Sequence, residues 1–234
     1  RSLSKSDNQR KNDIIHVMHI VYNFIYFLLL PILIIRDLFI LQNNKLRTVF
    51  QKLGFYLTSS EESTIWLHGV SLGEIKIISP LAKKLIANGN KVLISTTTNT
   101  GRSEIDQSFE ELDIESITFP YDLGFAHKKI IQKYKVKKIV LFESEFWPNL
   151  LSSISKDIKV LSLNTSISDK TFMRLKSFKT IANKMIKRID LFLAQSSNTI
   201  DRLKFFGAKN IKLLGNIKIN KENYEVNQSK KEKF

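Results

Sequence analysis

From residue 64 onward, short apolar runs alternate with longer stretches whose apolar residues recur at helical spacing. The runs at Thr64–Leu67, Lys91–Thr97, Ser116–Phe119, Lys138–Phe142, Lys159–Leu163, Leu191–Ala194 and Ile211–Leu214 predict strands. Helices are predicted between them, at about Glu74–Asn88, Gly101–Glu110, Leu123–Tyr134, Trp147–Ser155, Ser168–Lys187 and Asn198–Phe206. Several strand runs are continuously apolar, as parallel strands covered on both faces are. Turn chemistry agrees: Asn88-Gly89-Asn90 and Gly207 follow helices, and Thr98 and Thr100 precede one. The alternation predicts an α/β domain over 64–220, a Rossmann-like doubly wound parallel sheet with its ligands at the carboxyl ends of the strands.

The N-terminal pattern differs. A polar segment over 1–13 gives way to an uncharged run from Ile14 to Ile35, about the length a helix needs to cross a bilayer core. His16, His19, Asn23 and Pro31 dilute it, so a spanning helix competes with one lying among the headgroups. Residues 14–41 are read as a retained membrane-anchor helix, since a secretory signal would be shorter and end in a small-residue cleavage site. Residues 42–63 read as a basic linker, with Lys45, Arg47 and Lys52 placed to meet anionic headgroups. Beyond Asn220 the composition turns polar, and 221–234 reads as linker or tail.

Composition narrows the function classes. Lys and Arg number 37 against 22 Asp and Glu, a formal charge of +15, which points to an anionic partner or to a basic solvated surface. No RNA-recognition signature, zinc-finger spacing or basic zipper is present, which argues against nucleic acid. With no cysteine and four scattered histidines, neither a metal site nor a cofactor is expected.

The candidate chemistry lies at predicted strand ends. In Trp66-Leu67-His68-Gly69-Val70-Ser71-Leu72-Gly73-Glu74, a strand breaks at two glycines and Glu74 falls in the first turn of a helix, whose partial positive charge favours the carboxylate. Glu74 is therefore a candidate general base, or simply a first-turn residue that satisfies the helix end. Ser71 and Gly73 stand beside it as candidate substrate contacts. Thr96-Thr97-Thr98-Asn99-Thr100-Gly101-Arg102 offers hydroxyls, amides at a helix start and a guanidinium. Thr97, Thr98, Gly101 and Arg102 thus suit a phosphate or sugar, or form an ordinary cap. Glu143 and Glu145, one residue apart, point the same way on an extended segment, and two close carboxylates raise one pKa or bind polar groups. Asn164 opens the cluster Asn164-Thr165-Ser166. Trp147 is expected to pack in the core. No Walker phosphate loop is present.

These motifs, together with Phe119-Pro120-Tyr121-Asp122, Glu143-Ser144-Glu145-Phe146-Trp147-Pro148-Asn149-Leu150 and Gly215-Asn216-Ile217-Lys218, follow one another in the order and spacing of a known family. The chain resembles the 3-deoxy-D-manno-oct-2-ulosonic acid (Kdo) transferases of Gram-negative lipid A assembly. The resemblance implies the N-terminal, acceptor-side half of an inverting GT-B glycosyltransferase at the cytoplasmic face of the inner membrane. It implies transfer of Kdo from CMP-Kdo to the lipid A precursor lipid IVA, with Glu74 as general base and anionic lipids as neighbours. Where the family usually reads Asn-Ala-Arg-Leu-Ser, this chain reads Asn164-Thr165-Ser166-Ile167-Ser168, so a guanidinium is missing at Ser166. The second Rossmann-like domain that holds the donor is expected beyond the linker, and the acceptor half alone is not expected to turn over. Two other readings stay open: a membrane-associated GT-B enzyme using a UDP-sugar, and a non-catalytic domain that binds anionic lipid.

Overall fold

A computed structural model describes residues 2–40, 45–56, 58–112 and 114–217. The sheet forms from β1 (Thr64–His68), β2 (Lys91–Thr96), β3 (Glu115–Thr118), β4 (Val136–Phe142), β5 (Lys159–Thr165), β6 (Leu191–Ala194) and β7 (Ile211–Leu213). All neighbours are parallel, in the order β3-β2-β1-β4-β5-β6-β7. The pairing register explains why these runs are apolar throughout. Trp66 lies beside Leu93 and Ile139, and Leu67 beside Ile94 and Val140. Side chains alternate across a strand, so the first row faces one layer of helices and the second the other. Trp66, Leu93 and Ile139 join one core with Ile130, Leu150 and Ile186, whereas Leu67 and Ile94 join another with Ile75, Ile78 and Ile105.

The helices over the second row are α3 (Leu72–Ala87) and α4 (Asn99–Ser108). Those over the first include α5 (Gly124–Lys133), α6 (Pro148–Ser153), α8 (Lys179–Arg188) and α9 (Ser197–Phe205). The expected long helix over Ser168–Lys187 is two helices, α7 (Asp169–Ser177) and α8, because Phe178 leaves helical geometry at φ −117° and ψ 41°. The bend lets Ala182, Met185 and Ile186 reach the core, while α7 buries no residue fully and stays at the surface.

Helical structure extends further at the N-terminus than the polar and apolar segments suggested, as α1 (Ser2–Ile40). Within it, Val17–Phe39 is long and apolar enough to cross a membrane. The basic stretch read as a linker carries α2 (Lys45–Lys52), whose Val49 and Lys52 are buried. One edge of α1 is tied to the globular domain. The Tyr22 hydroxyl donates to Asp122 Oδ2 at 2.8 Å, the Asp122 amide to the Tyr26 hydroxyl at 2.9 Å, and the Asn149 side-chain amide to Asn23 Oδ1 at 2.7 Å. Further along, Asp37 accepts from Lys52 at 2.6 Å, Tyr121 at 2.8 Å and Arg36 at 2.8 Å. The expected tail over 221–234 lies outside the described residues.

Candidate functional site

The strand order reverses direction between β1 and β4, and open parallel sheets of this kind bind ligands in the crevice outside that point. The segments leaving these two strands are the ones that carry Glu74 and the Glu143–Glu145 pair.

After β1 the chain turns through Gly69 and Val70 into α3, capped by Ser71 at φ −107° and ψ 163°. The Ser71 hydroxyl accepts from the Glu74 amide at 3.4 Å and donates to Glu74 Oε1 at 2.9 Å. The Val70 amide donates to Glu74 Oε2 at 2.7 Å. This reciprocal arrangement resembles a capping box. Glu74 is only 7% exposed, and both of its oxygens are held in a fixed direction. Each keeps a second lone pair for another donor. A methyl group on Gly69 would lie 3.1 Å from Glu74 Cβ and 2.6 Å from Ile78 Cδ1, so only glycine lets the turn sit this close to the helix. Beside Gly73 the space is open for 4 Å.

The threonine run is tied to the same turn. Thr96, Thr97 and Thr98 donate their hydroxyls to the Val70 carbonyl at 2.9, 3.3 and 3.0 Å. The Val70 backbone is therefore fixed on both sides of its Cα, its N–H on Glu74 and its carbonyl oxygen under three hydroxyls. Thr98 also caps α4, accepting from the Gly101 amide at 3.1 Å. Gly101 is packed against these threonines, with an added methyl only 2.4 Å from Thr96 Oγ1. Arg102 lies along α4, paired with Asp106 at 3.1 Å on an exposed face. The threonine hydroxyls thus build the loop that holds Glu74.

Beyond β4, Glu143 and Ser144 form a turn rather than an extended segment, with Glu143 at φ 52°. The two glutamates therefore do not share a face by strand alternation, but they stay close enough for the Glu143 charge to help raise the Glu145 carboxyl. The Ser162 hydroxyl donates to the Glu143 carbonyl at 3.2 Å. Glu145 Oε2 accepts from the Trp147 indole at 2.8 Å. Burial pushes the Glu145 carboxyl up to about 7, the Glu74 charge adds to this, and the indole hydrogen bond opposes it. Glu74 and Glu145 thus act on one another across the switch point. Trp147 packs at the edge of the core, 5.5 Å from Phe119 between ring centres.

Asn164, at the end of β5, is buried with φ 55°. Its Oδ1 accepts from the Ile217 amide at 3.2 Å, and its carbonyl accepts from Gln195 Nε2 at 2.8 Å. It braces the end of the sheet. Ser166, where the resemblance expects a guanidinium, gives its carbonyl to the Ser144 hydroxyl and so joins the β4 and β5 loops.

The sequence of hydrophobic and polar positions did not single out a buried polar centre at Asp122. Asp122 is fully buried and accepts four hydrogen bonds: Tyr22 and the Asn149 amide at 2.8 and 3.0 Å, His127 Nε2 and the Leu150 amide at 2.8 and 2.9 Å. Its carbonyl also accepts from Asn149 Nδ2 at 2.6 Å. The signal was Asp122 two residues after Pro120, directly past a strand. His68 is fully buried, stacked on Phe119 at 3.7 Å, with Nδ1 3.0 Å from Ser95 Oγ. Burial holds its pKa down to about 3, helped by His127 and opposed by the hydrogen bond to Ser95, so it is a neutral core residue rather than a proton carrier at neutral pH.

A sequence model of a family described as 3-deoxy-D-manno-octulosonic-acid transferase (kdotransferase) matches residues 47–221. The chain belongs to this Kdo transferase family. Over 163 residues it is 32% identical to a bifunctional glycosyltransferase/methyltransferase of Fusobacterium nucleatum, covering 68% of this chain and 26% of that protein. It is 27% identical over 178 residues to the 3-deoxy-D-manno-octulosonic acid transferase of Rickettsia typhi, covering 75% of this chain and 38% of the relative. Against the protein of the same description from Rickettsia bellii it is 26% identical over 213 residues, 89% of this chain and 51% of the relative. The chain therefore spans between about a quarter and a half of these relatives. Within the Kdo transferase family region fall all the candidate site residues, from Ser71 to Asn164.

Proposed function

We propose that this chain supplies the acceptor-side domain of a Kdo transferase that moves Kdo from CMP-Kdo to the lipid A precursor, with inversion, at the cytoplasmic face of the inner membrane. The observation that carries the reading is the family match over 47–221 with Glu74 held at the β1–β4 switch point. In this mechanism an acceptor sugar hydroxyl attacks the anomeric carbon of Kdo. The new C–O bond forms as the bond to the cytidylate oxygen breaks, and the hydroxyl proton passes to Glu74. The Val70 amide and Ser71 hydroxyl aim the carboxylate, so the proton acceptor is positioned before substrate arrives.

Ser71, Gly73, Thr97, Thr98, Gly101, Arg102, Glu143, Glu145 and Asn164 are proposed to line or support the substrate crevice. Glu145, half protonated near neutrality, both donates to and accepts from sugar hydroxyls. The open space beside Gly73 admits the acceptor close to Glu74. A relative named as a bifunctional glycosyltransferase/methyltransferase leaves its sugar donor unnamed, and the second reading is transfer from a UDP-sugar by the same fold.

The test uses a protein that carries this chain together with a donor domain, supplied with CMP-Kdo and a tetra-acylated disaccharide lipid. Kdo addition is expected, and Glu74→Gln is expected to lower it by about 100-fold or more with the tryptophan fluorescence of the folded domain retained. Unchanged transfer in Glu74→Gln removes Glu74 from catalysis. Transfer from a UDP-sugar but not from CMP-Kdo replaces the leading reading with the second.

A further inference from the structure

The apolar helix α1 is long enough to span a bilayer, yet its polar edge is already occupied. Tyr22, Asn23 and Tyr26 bond to Asp122 and Asn149 at one end of the docked stretch, and Asp37 bonds to Lys52 and Tyr121 at the other. From Tyr22 to Asp37 the helix axis runs about 22 Å, and both ends of that stretch are bonded to the globular domain. The uncharged run begins at Ile14, so only about 12 Å of apolar helix precedes Tyr22. A hydrocarbon core about 30 Å thick is not crossed by that remainder. Crossing with the docked stretch would either carry Asp122, Asp37 and Lys52 into hydrocarbon or break their hydrogen bonds.

The opposite edge of α1 is continuously apolar. Val17, Ile20, Phe24, Leu28, Ile35 and Phe39 are all about half exposed or more. This edge continues onto the domain. Phe27 of α1 lines one groove of about 490 Å³ with Phe125 and Lys128 of α5. Lys129 lies 5.8 Å from the Phe125 ring and 4.2 Å from that of Phe55, and Phe55 meets Phe50 at 6.1 Å. Arg47 lines a neighbouring groove with Phe50, Phe55 and Lys129. Exposed aromatic rings interleaved with lysine and arginine beside an apolar helix edge match the boundary between acyl chains and anionic headgroups.

We propose that α1 lies along the surface of one leaflet rather than through the bilayer, its apolar edge and the adjoining Phe50–Phe55–Phe125 patch inserted among anionic headgroups. This disposition is independent of which sugar is transferred. It also holds the crevice at a set height above the lipid, because Asp122 ties α1 to the start of α6, the helix that follows the Glu145 loop.

The chain has no cysteine, so single cysteines at Ile20, Phe24, Leu28 and Ile35 carry spin labels without background. In the full chain bound to phosphatidylethanolamine–phosphatidylglycerol vesicles, all four labels are expected at one shallow depth. A depth that changes steadily by about 22 Å from Ile20 to Ile35 is the signature of a spanning helix and overturns the proposal. Labels that all remain in water overturn it as well. In a second variant, Arg47→Glu combined with Lys129→Glu, binding to these anionic vesicles is expected to fall by about tenfold or more, with little change on neutral vesicles. Undiminished binding to the anionic vesicles, or an equal loss on both, overturns the assignment of this patch to anionic headgroups.

Discussion

Replacing Asp122 by asparagine tests whether the buried centre holds the site and α1 together. The substitution keeps shape and changes one oxygen to an NH2. Two of the four donors can adapt. Tyr22 can turn its hydroxyl to accept, and His127, whose Nδ1 has no partner, can move its proton there and accept through Nε2. The backbone amides of Asn149 and Leu150 cannot. They bond different oxygens, at 3.0 and 2.9 Å, so either orientation of the new amide leaves one of them facing a donor. An unpaired buried amide costs about 1–3 kcal/mol, and losing the charge weakens the remaining bonds by about 1 kcal/mol. The easier burial of a neutral group offsets part of this, leaving about 2–3 kcal/mol. For a chain of this size, that lowers Tm by about 4–12 °C. Both tryptophans, Trp66 and Trp147, lie in the globular domain, so intrinsic fluorescence of the detergent-solubilised chain follows its unfolding. Asp122→Ala, which deprives all four donors, is expected to lower Tm further. A shift below about 1 °C for both variants would show that the Asp122 carboxylate does not hold this centre together.

The remaining predictions concern the crevice and its pH response. His68 is held near pKa 3 in the fold against an ordinary value of 6.5, so the unfolded chain binds the extra proton between those values. Its contribution to stability is complete above pH 6.5 and erodes by up to about 1.4 kcal/mol per pH unit as pH falls towards 3, a slope that should flatten in His68→Gln when ΔG of unfolding is measured against pH. Glu145 has the opposite sign: with its pKa raised from 4.5 to about 7, the fold holds the proton more tightly, and stability falls as pH rises through that window. Because Glu145 bonds the Trp147 indole, fluorescence should titrate with a midpoint near pH 7 in the native chain and not in Glu145→Gln; an unchanged titration would show that Glu145 is not the group involved. Gly101→Ala is expected to cost about 1–3 kcal/mol in urea unfolding, since its methyl meets Thr96 Oγ1 at 2.4 Å and pushes that hydroxyl off Val70. Gly73→Ala, with open space and a helical position, should instead stabilise by about 0.5–1 kcal/mol while lowering transfer in the donor-domain assay; retained transfer would mean that the acceptor does not approach there.

Much of this protein was legible in the order of its residues. Doubly covered parallel strands need continuous apolar runs, and the helices between them need an apolar stripe, so seven strands and most of their intervening helices could be placed before any coordinates. The break at Phe178 could not, because what favours it is the reach of Ala182 and Ile186 into a core built mostly from other strands. Glu74 could be placed at a helix start, since the strand before it breaks at two glycines, while the Ser71 cap that fixes that start came from the structure. That three threonines from the next strand end would converge on the Val70 carbonyl follows only from β2 lying beside β1. The alternation expected for Glu143 and Glu145 failed because a turn at positive φ replaced the strand there.

The N-terminal helix shows the same division. Length and apolarity are properties of a continuous stretch, so the chain itself determined that residues 17–39 suit a membrane. Which edge of that helix is left unpartnered depends on partners 100 residues away in sequence, Tyr22 finding Asp122, and on the pairing of Asp37 with Lys52. Local patterning determined the elements and the helix-end carboxylate. The tertiary structure decided which polar groups meet, because hydrogen bonds act over a few ångströms and only folding brings their partners within that range.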